Sequence, residues 1–168
     1  MSLERKITRI KNFPLIKRKK VAICCRVSTT HKDQLHSLAN QISYFRDLVD
    51  SHLDWELVGI YPDVRSGKNT SGRREFQRML EDCRNHKIEM IITKSINRFG
   101  RNTVATIDAI NQLRALLVDV YFENDNIHTK GSQNDFIISI LEAYAQAESQ
   151  ARSENIKWGI AKGFKDGS

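Results

Sequence analysis

Arg26 and Ser28 stand two apart at the end of an apolar run, VAICCRVST, so on an extended strand both side chains fall on one side. A hydroxyl and a guanidinium placed together can address one phosphate, the first as nucleophile and the second as a forked donor to its oxygens. A serine between strand and helix also serves as a cap or turn residue, so the pair alone leaves both readings open. Arg98 and Arg101, in KSINRFGRNT, have the three-residue spacing that puts two side chains on one face of a helical turn. They read as a phosphate clamp or as two solvated arginines ahead of a helix. A third cationic group, Arg65, Lys68, Arg73 and Arg74, lies in or beside PDVRSGKNTSG at 62–72, the one clear flexible loop. Together these groups describe phosphoryl transfer without a cofactor: a hydroxyl nucleophile among arginines that offset charge growing on a pentacoordinate phosphorus. His31 is the only histidine near Ser28 in sequence and reads as a loop residue, so the route of the hydroxyl proton stays open. GKNT at 67–70 is not a nucleotide-binding loop, because Pro62 stands where its first glycine is needed.

Positioning these residues requires a scaffold, and its pattern is visible. Four segments rich in β-branched and aromatic residues, 20–26, 56–61, 89–95 and 118–123, alternate with helical periodicity at about 36–52, 73–86 and 103–117. The alternation predicts an α/β domain: a mainly parallel sheet of about four or five strands with flanking helices, followed by a long C-terminal helix. In such sheets ligands gather beyond the carboxyl ends of the strands, where Ser28 and the 94–103 run fall. Residues 135–165 contain no proline and no turn cluster before Gly159, and read as one long helix weakened at that glycine. Its first half, DFIISILEAYAQAE, is apolar on more than one face and is expected against the core. Ile156, Ile160 and Phe164, four apart on a polar background, form a stripe expected to project toward a partner or to pack back on the domain.

The 168 residues, 40% hydrophobic and 28% charged, suit one globular core. The apolar runs 88–92 and 136–141 are too short to cross a bilayer, and the first twenty residues carry charge where a secretory signal needs an apolar stretch. A cytoplasmic protein is expected. Cys24, Cys25 and Cys83 match neither a disulfide framework nor a zinc site and read as reduced, buried side chains. The net charge of +7 resides entirely in residues 1–20, where eight Lys/Arg face one Glu. This arm is a solvated tail or a nucleic-acid contact, and the neutral body must bind a polyanion through local clusters.

RVST after the first strand, SLANQ at 37–41, SGKNTSGRREFQRMLEDC at 66–83, KSINRFGRNT at 94–103 and AQAESQARSENIKWGI at 145–160 occur in one order. This ordered set resembles the serine site-specific recombinases over about 20–162. FQRML and SENIKWGI look more like the large members, phage integrases and transposon recombinases, than like small resolvases and invertases. The resemblance implies that Ser28 attacks the scissile DNA phosphate, leaving a 5′-phosphoserine and a free 3′-hydroxyl. It makes Arg26, Arg73, Arg98 and Arg101 the motif arginines, with Arg74 replacing Arg73 if the register differs by one, and Gln41 the glutamine that holds the site together. DNA contact is assigned to Arg65, Lys68, Arg74, Lys94 and Glu154, the last on the long helix near the subunit interface. Double-stranded DNA is the implied partner, with homodimers that assemble into a tetramer; no metal, cofactor, membrane or small-molecule substrate is implied. The organisation expected is a basic arm at 1–19, a catalytic core at 20–134 and an oligomerisation and DNA-contact helix at 135–168, with the family's downstream DNA-binding domains absent. Asn97 departs from the family, since small resolvases usually have Asp there and an amide cannot accept a proton at neutral pH. Two rival classes are a metal-dependent nuclease, using Asp63, Glu123 and Asp125 around magnesium, and a non-catalytic DNA-binding or assembly module.

Overall fold

A computed structural model describes residues 17–27, 32–64, 73–100, 102–131 and 133–165. The elements in chain order are β1 (Lys19–Val27), α1 (Lys32–Asp50), β2 (Trp55–Val64), α2 (Arg74–Arg84), β3 (Met90–Thr93), α3 (Ile96–Phe99), α4 (Thr103–Ala115), β4 (Asp119–Phe122), β5 (Ile127–His128) and α5 (Gln133–Lys165). Among the described residues the strands form one sheet in the order β2-β1-β3-β4-β5. The first four are parallel, and β5 pairs antiparallel to β4 through Tyr121↔His128 and Phe122↔Ile127.

Both faces of the sheet are covered, so its central strands are continuously apolar rather than alternating. In β1, Val21, Ile23, Cys25 and Val27 point toward α1 and pack with Phe45, Val49, Met90 and Ile92. Ala22 and Cys24 point the other way, into a cluster that holds Met79 and Leu80 of α2, Leu113 of α4, Phe99 and Phe122. The three cysteines are free and buried, and burial pushes each thiol up to about 12.

Helices α2 and α4 end in the same way, two residues before the ends expected from their periodicity. Lys87 N–H donates to Asp82 O and His86 N–H to Cys83 O; Val118 N–H donates to Leu113 O and Leu117 N–H to Arg114 O. These are two Schellman motifs, which need a left-handed residue. His86 (φ 55°) and Leu117 (φ 59°) take that conformation where glycine is usual.

Three expectations are corrected by the structure. Residues 62–64 do not belong to the expected loop, because β2 continues through Pro62 and Asp63 to Val64; positions 65–72 lie outside the described residues. Proline is tolerated at 62 because β2 is an edge strand. The strand expected at 89–95 is only Met90–Thr93, and part of the run beyond it forms α3. Short β5 makes the sheet five-stranded, within the four or five strands expected.

The third correction concerns α5, whose first half is only partly against the core. Ile137 is buried and Ile138 and Leu141 pack on the core, but Phe136 is 68% exposed, and Ile140 and Tyr144 are also exposed. The helix lies antiparallel on α4, with Arg114 Nη1 3.0 Å from Asp135 Oδ1 and Thr103 Oγ1 donating to Glu148 Oε2 at 3.4 Å. Contact with a single helix covers a single stripe. Ile156 is exposed as expected, at 63%; the side chains of Ile160 and Phe164 lie outside the description. No helix among the described residues is long and apolar enough to cross a membrane.

Candidate active site

The chain runs from β1 to β2 on one side, then crosses to place β3 on the other side of β1. A crevice therefore opens beyond the carboxyl ends of β1 and β3, the switch point where doubly wound sheets bind ligands. Arg26 is the penultimate residue of β1, half-buried, and alternation puts it on the face shared by Ala22 and Cys24. Its charge is one of the influences that lower the thiol pKa of Cys24, against the larger effect of burial. Ser28, one residue beyond β1 in sequence, lies outside the described residues, as do Arg65, Lys68 and Arg101.

From β3 the chain passes Lys94 and Ser95 into α3, one helical turn held by its apolar residues. Phe99 is fully buried, edge-on to Phe76 at 5.3 Å and to Phe122 at 5.7 Å between ring centroids. Ile96 packs on the same cluster, which leaves Arg98 exposed to solvent. Gly100 then permits a very close approach: a Cβ there would stand 1.9 Å from Thr106 Oγ1 and 2.7 Å from Thr106 N. Asn102 caps α4, its side chain accepting from Ala105 N–H at 2.8 Å. The glycine in RFGRN is thus a packing requirement that spacing alone does not reveal.

Arg73 immediately precedes α2 and is buried. Its Nη2 donates to Phe99 O, its guanidinium lies 3.7 Å from the centroid of the Phe76 ring, and its Nε is 3.7 Å from Asp63 Oδ2. Asp63 in turn accepts from Glu75 N–H at 3.2 Å. Burial raises the Asp63 pKa, opposed by the Arg73 charge. Arg73 therefore ties the edge strand and α2 to the end of α3. No spacing in the sequence pairs Arg73 with Asp63, which falls in a stretch that reads as a loop. Arg74, next along, is exposed on α2.

On the opposite face of the sheet, α1 and the ends of β3 and β4 enclose a cleft of about 520 Å³. Its lining includes His36, Gln41, Tyr44, Lys94, Glu123 and Asn124. Tyr44 donates its hydroxyl to Glu123 Oε1 at 2.8 Å, and that bond raises the tyrosine pKa. The expected residues are therefore gathered at one edge of the sheet but divided by it: Gln41 and Lys94 on the α1 side, Arg26 and Arg73 on the α2 side. Glu154 is exposed on α5, beyond the stretch that lies on α4.

The carboxylates required by the nuclease alternative do not converge. Asp63 faces Arg73 on β2, Glu123 accepts from Tyr44, and Asp125 accepts from Ile96 N–H at 3.3 Å. Among the described residues no group of three or more His, Cys, Asp or Glu is arranged to hold a metal ion.

The fold is that of a doubly wound α/β domain whose switch point lies between β1 and β3. Residues 21–168 match the family model described as resolvase, N-terminal domain. A resolvase/recombinase from Pseudomonas putida is 32% identical over 112 residues, which are 64% of this chain and 60% of that protein. The crystal structure of a resolvase family site-specific recombinase from Streptococcus pneumoniae aligns with a TM-score of 0.72 and 29% identity, covering 86% of this chain and 98% of that one. The N-terminal catalytic domain of TP901-1 integrase has the same fold, with a TM-score of 0.66 and 23% identity over 80% of this chain and 99% of that one. The chain belongs to the resolvase family, and it spans little more than half the length of the curated relatives it matches.

Proposed function

We propose that this chain is the catalytic domain of a serine site-specific recombinase and that Ser28 is its nucleophile. The observation that carries the proposal is that cations follow the carboxyl ends of the two central strands: Arg26 at the end of β1, and Lys94 and the exposed Arg98 just after β3. In the proposed reaction the Ser28 Oγ attacks the DNA phosphorus, a serine–phosphate bond forms and the bond to the 3′-oxygen breaks. The serine proton is lost and the departing 3′-oxygen gains one, so the step has no net proton change. A phosphodiester replaces a phosphodiester, and religation by a 3′-hydroxyl therefore requires no nucleotide.

Arg26, Arg98 and Arg101 are proposed to meet the non-bridging oxygens, where forked donors stabilise growing charge. Arg73, buried against Phe99 O, holds α3 in register. Gln41 and Lys94 approach from the α1 side, and Arg65, Lys68, Arg74 and Glu154 are proposed DNA contacts. Double-stranded DNA is the proposed partner. Self-association to dimers and a tetramer is proposed through α5, supported by the exposed Phe136, Ile140, Tyr144 and Ile156. The division into arm, core and long helix, the likeness to large recombinases and a cytoplasmic setting in a bacterium or phage belong to the same proposal.

The test is a search on denaturing gels for a covalent protein–DNA adduct, with a chelator present. The full chain is joined to a DNA-binding module of known site, and Ser28→Ala is the control. An adduct lost in the control is the expected result. Cleavage that needs a divalent cation and leaves no adduct would favour the nuclease instead.

A further inference from the structure

The ENDN run, whose carboxylates join no cluster of three or more possible metal ligands among the described residues, occupies a specific place. Beyond the last residues of β3 and β4 the ladder continues: Glu123 N–H donates to Thr93 O at 3.0 Å and Asn124 N–H to Lys94 O at 2.9 Å. The turn then closes with Asn126 N–H on Glu123 O at 3.1 Å, and Asn126 takes φ 50°. Tyr121 fixes the far side by donating to Asn126 Oδ1 at 3.3 Å while stacking on His128 at 4.3 Å. The turn is thus attached to the backbone that leads into α3.

Asp125 uses this attachment to reach the amide of Ile96, the first residue of α3, at 3.3 Å from Oδ2. That amide is one of the helix-end donors that have no partner within a helix. Ser95, the residue before α3, makes no side-chain capping bond. A four-residue helix cannot hold itself, because one turn does not repay the entropy of nucleation. Burial of Phe99 and the bond from Arg73 to Phe99 O hold its end, and Asp125 holds its start.

We propose that Asp125 is a positioning residue that caps α3 from the neighbouring turn and so sets the direction of Arg98. The effect on reaction rate rests on the recombinase reading; the cap itself does not. What acts is the acceptor oxygen rather than the charge, which separates this role from a metal ligand or an electrostatic partner of Arg98. Asparagine keeps an oxygen acceptor without charge, and alanine keeps neither.

Two measurements on Asp125→Ala and Asp125→Asn test it. In amide hydrogen exchange on the full chain, Asp125→Ala is expected to speed exchange at Ile96 about tenfold, and Asp125→Asn less than about twofold. In single-turnover adduct formation with the same chain joined to a module of known site, Asp125→Ala is expected to slow the rate about tenfold with DNA affinity held within about twofold. Asp125→Asn restores the rate, and Asp125→Ala adds no further loss in an Arg98→Ala background. Unchanged exchange at Ile96 in Asp125→Ala overturns the inference whatever the cleavage result. Faster exchange with an unchanged adduct rate, or an Asn variant as slow as Ala, also overturns it. If the wild-type chain forms no Ser28-dependent adduct, the recombinase reading fails, and exchange alone then decides the cap.

Discussion

Gly100→Ala tests whether the junction of α3 and α4 is fixed by packing. The added methyl would lie 1.9 Å from Thr106 Oγ1, a hydroxyl held by its own bond to Asn102 O at 2.9 Å. It would also lie 2.7 Å from Thr106 N and 2.9 Å from Asn102 O, which are backbone and cannot rotate away. Thr106 is buried, so relief requires the start of α4 to move. Forcing one carbon into a packed site costs about 1–3 kcal/mol. In a chain of this size ~2 kcal/mol lowers Tm by about 4–8 °C. Where alanine is tolerated, the same change stabilises by ~0.4–1 kcal/mol through the unfolded chain, so the sign of the effect is diagnostic. Thermal unfolding of Gly100→Ala, Thr106→Ala and the double variant gives a cycle. Removing the Thr106 hydroxyl is expected to relieve part of the loss but not all, because the backbone contacts remain. A Tm at or above wild type for Gly100→Ala, or strict additivity in the cycle, would refute the reasoning.

Leu117→Gly is expected to raise stability by ~0.5–1 kcal/mol in denaturant unfolding, because Leu117 has φ 59° and is 91% exposed. Leu53→Gly, at a site equally open but without a positive φ, is expected to lower it. The three thiols, pushed up to about 12 by burial, are expected to resist a thiol reagent at pH 8 in the native chain and to react fully in guanidinium. By linkage, their contribution to stability is complete below the ordinary thiol value of 9 and is lost as pH rises from there toward 12, since the unfolded chain ionises first. Denaturant midpoints measured across that window check the sign. Arg98→Ala is expected to slow adduct formation by about a hundredfold or more while changing DNA affinity little, as for a donor aimed at transition-state charge. Equal losses in rate and affinity would remove it from the chemistry.

The parallel sheet was legible because its strands are apolar runs separated by helical periodicity, and the carboxyl-edge location of the site follows from that class of sheet. Three features escaped for physical reasons. Pro62 suggested a loop, yet an edge strand has a free side where a missing N–H costs nothing. INRF is too short to show a helical period, and its structure depends on Phe99 burial and on Asp125, twenty-nine residues away. The first half of α5 is apolar on several faces, but among the described residues α4, β5 and the core edge cover only part of them. Of the proposed site, Arg26 and the Arg98 turn are singled out by spacing along the chain, and Arg73 by the cationic cluster beside the expected loop and by the family resemblance. The ion pair of Arg73 with Asp63 is not, because it joins the two ends of a loop rather than neighbours on one element.

The long helix also has a mechanical meaning. At 1.5 Å per residue, its 33 residues extend for about 50 Å, but its contacts with α4 end near Glu148 and Arg152. Past this clamp the helix backbone continues as a beam of about 20 Å. A tilt of about 10° at the clamp moves the far end by about 3–4 Å for this rise per residue, the width of an atom. Adjustments too small to register in the α4 contact, such as loss of the 3.4 Å bond between Thr103 and Glu148, are thereby magnified at the tip. The clamp is weakly fastened, and the beam's own backbone hydrogen bonds keep it straight enough to transmit the motion.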